Sequence, residues 1–431
     1  MLPELYFTDM LNVGLAPRRA FETGISAPDR ALLRALARQV SEIGHLPIMD
    51  ERRALWKRHN ALERVRPMVL VFPEGSWREL LPASALRCEG RRARAYEWSL
   101  RQVIYHYEHL HDDTVIEPRW VVRKQVALSS WGLEPRQIPS REATGAWAFD
   151  PVIHSERDLD LLHAPTVSYD AAATEREAQA TAEVFGDILP VEVRGIGVIS
   201  FHLMAEYTAL RGLEQVMMDM IAEPAMLHRA MAILEAGHHE IIAQYQALDL
   251  LQLNNDGEYH SSGGTSYTDA LPADGYGGGQ PRLCDLWASA EAQEMAQVSP
   301  RMHAEFILPY EKRLLEPFGL NGYGCCEDLT LKMRDVLTIP NLRRVSVAPT
   351  ANLERCAEQI ANRCIVSWKP QPVHLVGRFD ENMVRAYITD ACEATRGNVV
   401  EMILKDTHTC EGRTERFDAW TRIASEIASG Y

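Results

Sequence analysis

Two stretches of this chain carry residues able to do chemistry. The first, Phe318 to Asp328, runs from an apolar segment into Gly324-Cys325-Cys326-Glu327-Asp328. The second, Asn398 to Cys410, is another apolar segment that ends in His408-Thr409-Cys410. Thiolate and imidazole suit zinc, and a catalytic zinc site needs about three protein ligands and an open position. Cys325 and Cys410 are therefore expected metal ligands. His408 joins them as a third, since it stands two residues before Cys410 and shares its side of an extended chain. Glu327 is an alternative further ligand and a candidate catalytic carboxylate. Cys326 points away from Cys325 on an extended chain and reads as structural. Buried thiols that act only as small hydrophobes are the plain alternative for all of these.

Other candidates stand at the ends of expected strands. His202 is read as a general acid or orienting group. Asp256 is read as catalytic and His260 as a substrate contact. Trp77, Trp131, Trp287 and Trp368 fall at or near loop junctions; Trp77 and Trp368 are taken as walls of a substrate site. Lys369 is expected to neutralise a substrate carboxylate. The methionines of 212–248 fill core gaps. Gly275-Tyr276-Gly277-Gly278-Gly279 has neither the helix start nor the Lys-Ser/Thr of a phosphate loop.

Distant strand ends meet only where a fold gathers them on one rim, which a (β/α)8 barrel does by construction. The apolar runs agree with this. Arg66–Pro73 is the first buried strand, Trp120–Leu128, Leu189–Ser200 and Asp249–Asp256 follow, and four more lie at 318–324, 342–348, 363–369 and 398–405. Helical patterns separate them, including Gly212–Ile221 and Ala225–Leu248 on either side of Pro224, and Leu283–Glu316. Residues 1–65 read as a helical extension, either a cap or a dimerisation arm, and 66–431 as the barrel. The stretch from Gly257 to about Arg282 holds seven glycines with Tyr259, His260, Tyr267 and Tyr276. A loop of that length is expected to border the site and help close it.

Composition narrows the function. The chain has 431 residues, 46% of them hydrophobic, enough for a large core. Sixty acidic against 45 basic residues give a formal charge of −15, which argues against nucleic acid or an anionic membrane as partner. No apolar run approaches the roughly 18 residues of a membrane span. The start lacks the basic region of a signal peptide, and eight scattered cysteines suggest a reducing cytoplasm rather than a disulfide framework.

The region 190–425 resembles the uroporphyrinogen decarboxylase superfamily. The resemblance rests on the Gly212–Met231 helix pair with Glu223-Pro224, the Gly322–Cys325 turn, the Trp368-Lys369-Pro370 strand end and the last strand closing on Cys410. It implies a (β/α)8 barrel and one of two chemistries, decarboxylation without a cofactor or zinc-dependent methyl transfer to or from a corrinoid or thiol. The decarboxylase's arginine-rich N-terminal motif is replaced by Arg66-Pro67-Met68-Val69-Leu70-Val71-Phe72-Pro73-Glu74. The methyltransferase branch's His-x-Cys turn is Tyr323-Gly324-Cys325 here, without the histidine. The expected function is zinc-dependent methyl transfer from a small O-, N- or S-methyl donor to a thiol or a corrinoid on a separate carrier protein. A metal-free decarboxylase or lyase using Asp256, His202 and Lys369 is the alternative, and a non-catalytic small-molecule binder a third.

Overall fold

The computed structural model describes residues 24–138, 148–260 and 263–431. Along the chain the strands are β1 (Met68–Val71), β2 (Trp120–Arg123), β3 (Gln125–Leu128), β4 (Arg136–Ile138), β5 (Ala148–Asp150), β6 (Val167–Asp170) and β7 (Val191–Arg194). They continue as β8 (Ser200–Phe201), β9 (Trp287–Ala290), β10 (Leu320–Tyr323), β11 (Leu342–Val347), β12 (Ile365–Trp368) and β13 (Val400–Leu404). Seven of them form one parallel sheet in the order β1-β13-β12-β11-β10-β9-β8. A parallel pair β2-β7 stands apart, and β3-β6 and β4-β5 are antiparallel pairs.

First and last strands pair, with Met68 opposite Glu401, as a barrel requires. The segment that begins as β7 against β2 ends as β8 against β9, so one run of chain touches both parallel sheets. Between β1 and β2 no ladder forms among the described residues. There the free edge of β1 is met by carboxylates: Val69 N–H donates to Asp113 Oδ2 and Val71 N–H to Asp112 Oδ2, both at 2.8 Å. The fold is thus α/β on a parallel sheet, compatible with a TIM-like arrangement.

β1, β9, β10, β12 and β13 are buried along their whole length. Such strands are covered on both faces, the normal state of a parallel sheet with helical crossovers. Pro224 opens the Pro224–Ala247 helix, where its missing N–H costs nothing. Before the sheet, helices Ala27–Gly44 and Pro47–Asn60 carry Leu33, Leu36, Val40 and Trp56 into the same core as β1 and the C-terminal helix. Trp56 Nε1 donates to Asp113 O at 2.8 Å. Of the expected helical extension, residues 1–23 lie outside the described residues.

Three expectations are corrected. Trp287–Ala290, read as helical, is a strand paired on both sides, between β8 and β10. Asp249–Asp256, read as a strand, makes one parallel bridge, Leu251 to Ile196. The Asn254 side chain does the ladder's work instead, donating to Gly197 O and Trp287 O while accepting from Trp287 N–H. The segment has no β-branched residue, and its Asn-Asn-Asp favours turns.

The third concerns the Gly257–Arg282 loop, which lies mainly at the amino-terminal edge of the sheet, opposite Cys325. Asp269 pairs with Lys57 at 2.7 Å, Tyr267 Oη donates to Glu117, and Gln280 reaches Gln246 O. Its glycines allow this burial. A Cβ on Gly263 would stand 2.2 Å from Arg344 Cδ, and one on Gly264 2.6 Å from Glu401 Oε2. Helix end and loop together plug the foot of the sheet. Asn60 donates to Thr265 O and Tyr267 O, and His59 and Arg344 both pair with Glu401. Tyr259 departs from this pattern: its ring meets Phe72, just beyond β1, at 4.7 Å, and its phenol lies within electrostatic reach of Lys405 and Cys325, so at this residue the loop does border that edge.

Candidate active site

The carboxyl-terminal edge of the sheet brings together His202 after β8, Glu291 after β9, Cys325, Cys326 and Glu327 after β10, and Lys405 and Asp406 after β13. Parallel strands place all these ends on one side, so residues far apart in sequence become neighbours.

Gly324 turns β10 outward with φ of +88°; a Cβ there would also stand 2.8 Å from Leu329. Cys325 is then held by its backbone. Its N–H donates to Glu327 Oε2 at 2.8 Å, and Ser346 Oγ, on neighbouring β11, donates to its carbonyl at 2.7 Å. Its sulfur lies 3.5 Å from the Cys326 sulfur and 4.0 Å from the Lys405 ammonium. An ammonium at that distance is a counter-charge for a thiolate. Burial opposes charge on Lys405, yet Tyr259, Cys325 and Asp406 around it push its pKa above the ordinary lysine value.

His202 Nδ1 is paired with Glu291 Oε1, and Glu291 Oε2 accepts from Gln293 N–H at 2.9 Å. The imidazole remains 44% exposed, so a ligand can reach it. Burial lowers its pKa, but the Glu291 bond and charge outweigh that, and the net shift is upward. Cys325 is within the same electrostatic reach. Beneath lies a carboxyl cluster. Glu327 accepts from Ala292 N–H at 3.2 Å as well as from Cys325, and burial with the Glu291 charge raises its pKa to about 7. Glu311 is raised to about 8, chiefly by burial, although Tyr323 Oη donates to it at 2.7 Å. His303 Nε2 meets the same phenol oxygen at 2.8 Å, and burial keeps this imidazole neutral at ordinary pH.

The expected site residues divide. His202, Cys325 and Glu327 come together at this edge. Glu327 is 1% exposed and holds the Cys325 turn. Lys369 points inward from the end of β12, its Nζ donating to Ser367 O and Oγ, and burial lowers its pKa to about 7. The others do not join them. Asp256 lies near the foot, where Arg119 and Arg194 pair with it at 2.9 and 2.6 Å; burial would raise its pKa, but the two guanidinium groups lower it. His260 is packed against Trp287 at the start of β9, and burial lowers its pKa to about 3. Trp77 is a core residue packed on Trp98 and Tyr105, and Trp368 faces the helix layer against Tyr387. Trp368 ends β12, whereas Trp77 opens the short helix Trp77–Leu80 beyond β1.

The expected zinc ligands also separate. Cys410 is fully buried, and its thiol donates to Glu79 Oε2 at 3.1 Å. Burial and that carboxylate push its pKa up to about 12, which keeps it a thiol. His408 is exposed on the loop that packs over Gly75. Among the described residues no group of three or more His, Cys, Asp and Glu is placed to hold a metal. This donor set does not fit a zinc ion shared by Cys325, Cys410 and His408.

Sequence reasoning missed Glu291 and Lys405. Lys405 directly follows an apolar strand, a visible signal; Glu291 was hidden by the unrecognised β9.

No known protein family matches the sequence, and no curated protein is detectably similar to it. In structure the chain is similar to a methyltransferase from Methanosarcina mazei. The TM-score is 0.51 at 12% identity, over 87% of this chain and 98% of that one. The likeness is one of fold. No helix of the described residues is long and apolar enough to cross a membrane.

Proposed function

We propose that the chain is a methyltransferase acting on a small O-, N- or S-methylated donor, with Cys325 as the sulfur that receives the methyl group. One observation carries this: the Cys325 sulfur stands 4.0 Å from the Lys405 ammonium, on the edge that also presents the exposed His202 imidazole. The likeness of fold to a methyltransferase supports it.

A nucleophilic sulfur and a proton donor are the two groups that demethylation needs. Lys405 stabilises the Cys325 thiolate. The thiolate attacks the donor's methyl carbon in line; a sulfur–carbon bond forms as the carbon–heteroatom bond breaks. The bonding pair leaves with the heteroatom, and His202, whose protonated form the Glu291 carboxylate favours, supplies its proton. Glu327 fixes the turn that aims Cys325. The final acceptor, a thiolate or the reduced corrinoid of a separate carrier protein, then attacks that methyl carbon; its bond to carbon forms as the Cys325 sulfur–carbon bond breaks, and the pair leaves with Cys325 as the regenerated thiolate. The three expected zinc donors do not converge, so no step runs through zinc. The lyase alternative is weaker, because it needs Asp256 beside His202 and Lys369, and Asp256 lies near the foot.

The reading is tested by offering the enzyme a panel of ¹³C-methyl amines, ethers and sulfides, with free reduced corrinoid or a small thiol as acceptor. Transfer that depends on Cys325 is expected. A folded enzyme that transfers from no member of the panel contradicts it.

A further inference from the structure

Cys325 and Cys326 are adjacent in sequence, and their sulfurs lie 3.5 Å apart. On a regular extended chain consecutive side chains point to opposite faces. Here the turn set by Gly324, and the hydrogen bonds that hold Cys325, bring both thiols to one side. Cys326 is exposed to solvent. Its sulfur also lies 3.9 Å from Asp406 Oδ2, and Lys405 stands beside both thiols. The other cysteines differ. Cys88, Cys356, Cys364, Cys392 and Cys410 are buried, and Cys284 sits apart, before β9.

We propose that Cys325 and Cys326 form a reversible thiol-modification site, closed to a vicinal disulfide by exchange with small disulfides such as oxidised glutathione. Cys325 is the attacking sulfur, because the Lys405 ammonium favours its thiolate. It forms a mixed disulfide and expels one small thiol. Cys326, already within 3.5 Å, attacks that bond, forms the Cys325–Cys326 bond and releases the second small thiol. The two cysteines lose two electrons, the small disulfide gains them, and the two thiol protons end on the released thiols.

The product is readily reversed. Consecutive Cα atoms are about 3.8 Å apart, whereas disulfides prefer roughly 4.4–6.8 Å, so a bond between neighbours is strained and easily reduced. Strained, accessible disulfides are the labile, regulatory kind. As regulation this inference rests on the reading of Cys325 as the methyl acceptor, since closure removes that sulfur; the chemistry of the site itself does not.

The test treats the whole chain with oxidised glutathione and reads the peptide carrying both residues by mass spectrometry. The expected product has lost two hydrogens and regains them with dithiothreitol. Cys326→Ser should stop at a glutathionyl adduct on Cys325, and Cys325→Ser should react several-fold more slowly. Failure of the wild-type protein to form the vicinal bond, or a Cys326→Ser protein without the adduct, overturns the proposal. If the bond forms and methyl transfer continues unchanged, the modification site stands and the role of Cys325 in transfer falls.

Discussion

The Lys405 ammonium lies 4.0 Å from the Cys325 sulfur, although the two side chains leave strands that are not neighbours in the sheet. β11 and β12 stand between them, so the contact exists only because the sheet curves and its carboxyl-terminal ends converge. It places a fixed positive charge at the sulfur expected to do the chemistry.

That contact sets the first expectation. In a Cys326→Ser background, Lys405→Met should slow alkylation of Cys325 by iodoacetamide at neutral pH by roughly tenfold, or about 1.4 kcal/mol. Lys405→Arg should keep most of the rate. Equal rates in all three proteins would show that Lys405 does not support the thiolate.

The carboxyl cluster predicts a pH dependence of stability. Burial raises the Glu311 pKa to about 8 in the folded state, far above its ordinary value of 4.5. The folded protein therefore holds a proton that the unfolded chain has released, so stability falls as pH rises between these values. The loss attributable to this group is several kcal/mol at most. Glu311→Gln, which copies the protonated acid, should flatten the decline between pH 5 and 8 in urea titrations. An unchanged slope would remove Glu311 as its source.

Glu79 has the opposite sign. Burial opposes its ionisation, but hydrogen bonds from Thr409, Cys410 and Gly412 prevail and lower its pKa from 4.5 to about 2. Its stabilisation is present above the unfolded pKa and is lost as pH falls toward 2. Glu79→Gln should cost about 1–3 kcal/mol at pH 7 and little at pH 2. Equal destabilisation at both pH values would contradict this.

Most of the sheet was legible in the sequence: β1, β12 and β13 lie in largely apolar runs, and β10, Leu320-Asn321-Gly322-Tyr323, was marked by the apolar start at Phe318 and the Gly-Cys turn that follows it. β1, β10, β12 and β13 fall inside the segments read as strands. β9 was not, because Trp287-Ala288-Ser289-Ala290 has no β-branched residue and is a strand only by virtue of its neighbours β8 and β10. Strand-end position located Cys325 and His202 but says nothing of which side a following loop turns. The chain leaves β13 through Asp406 at φ +59°, and Cys410 ends against Glu79. Asp256 and His260 followed an expected strand that does not form, so the edge they were assigned to was the wrong one.

The separated zinc donors give a further expectation. Any zinc that copurifies should be unaffected by Cys410→Ala or His408→Ala, measured by elemental analysis of the intact protein. Loss of a stoichiometric metal in either variant would restore the shared site.

The central claim is that the Cys325 sulfur receives the methyl group. The direct measurement is mass spectrometry of the peptide spanning 323–332 after reaction with ¹³C-methyl donors, stopped before acceptor is added. The account predicts a single labelled methyl on Cys325 in the wild-type protein, its removal when acceptor follows, and no label or transfer in a folded Cys325→Ala protein. Methyl transfer that persists in Cys325→Ala, with no label on the wild-type peptide, would contradict it.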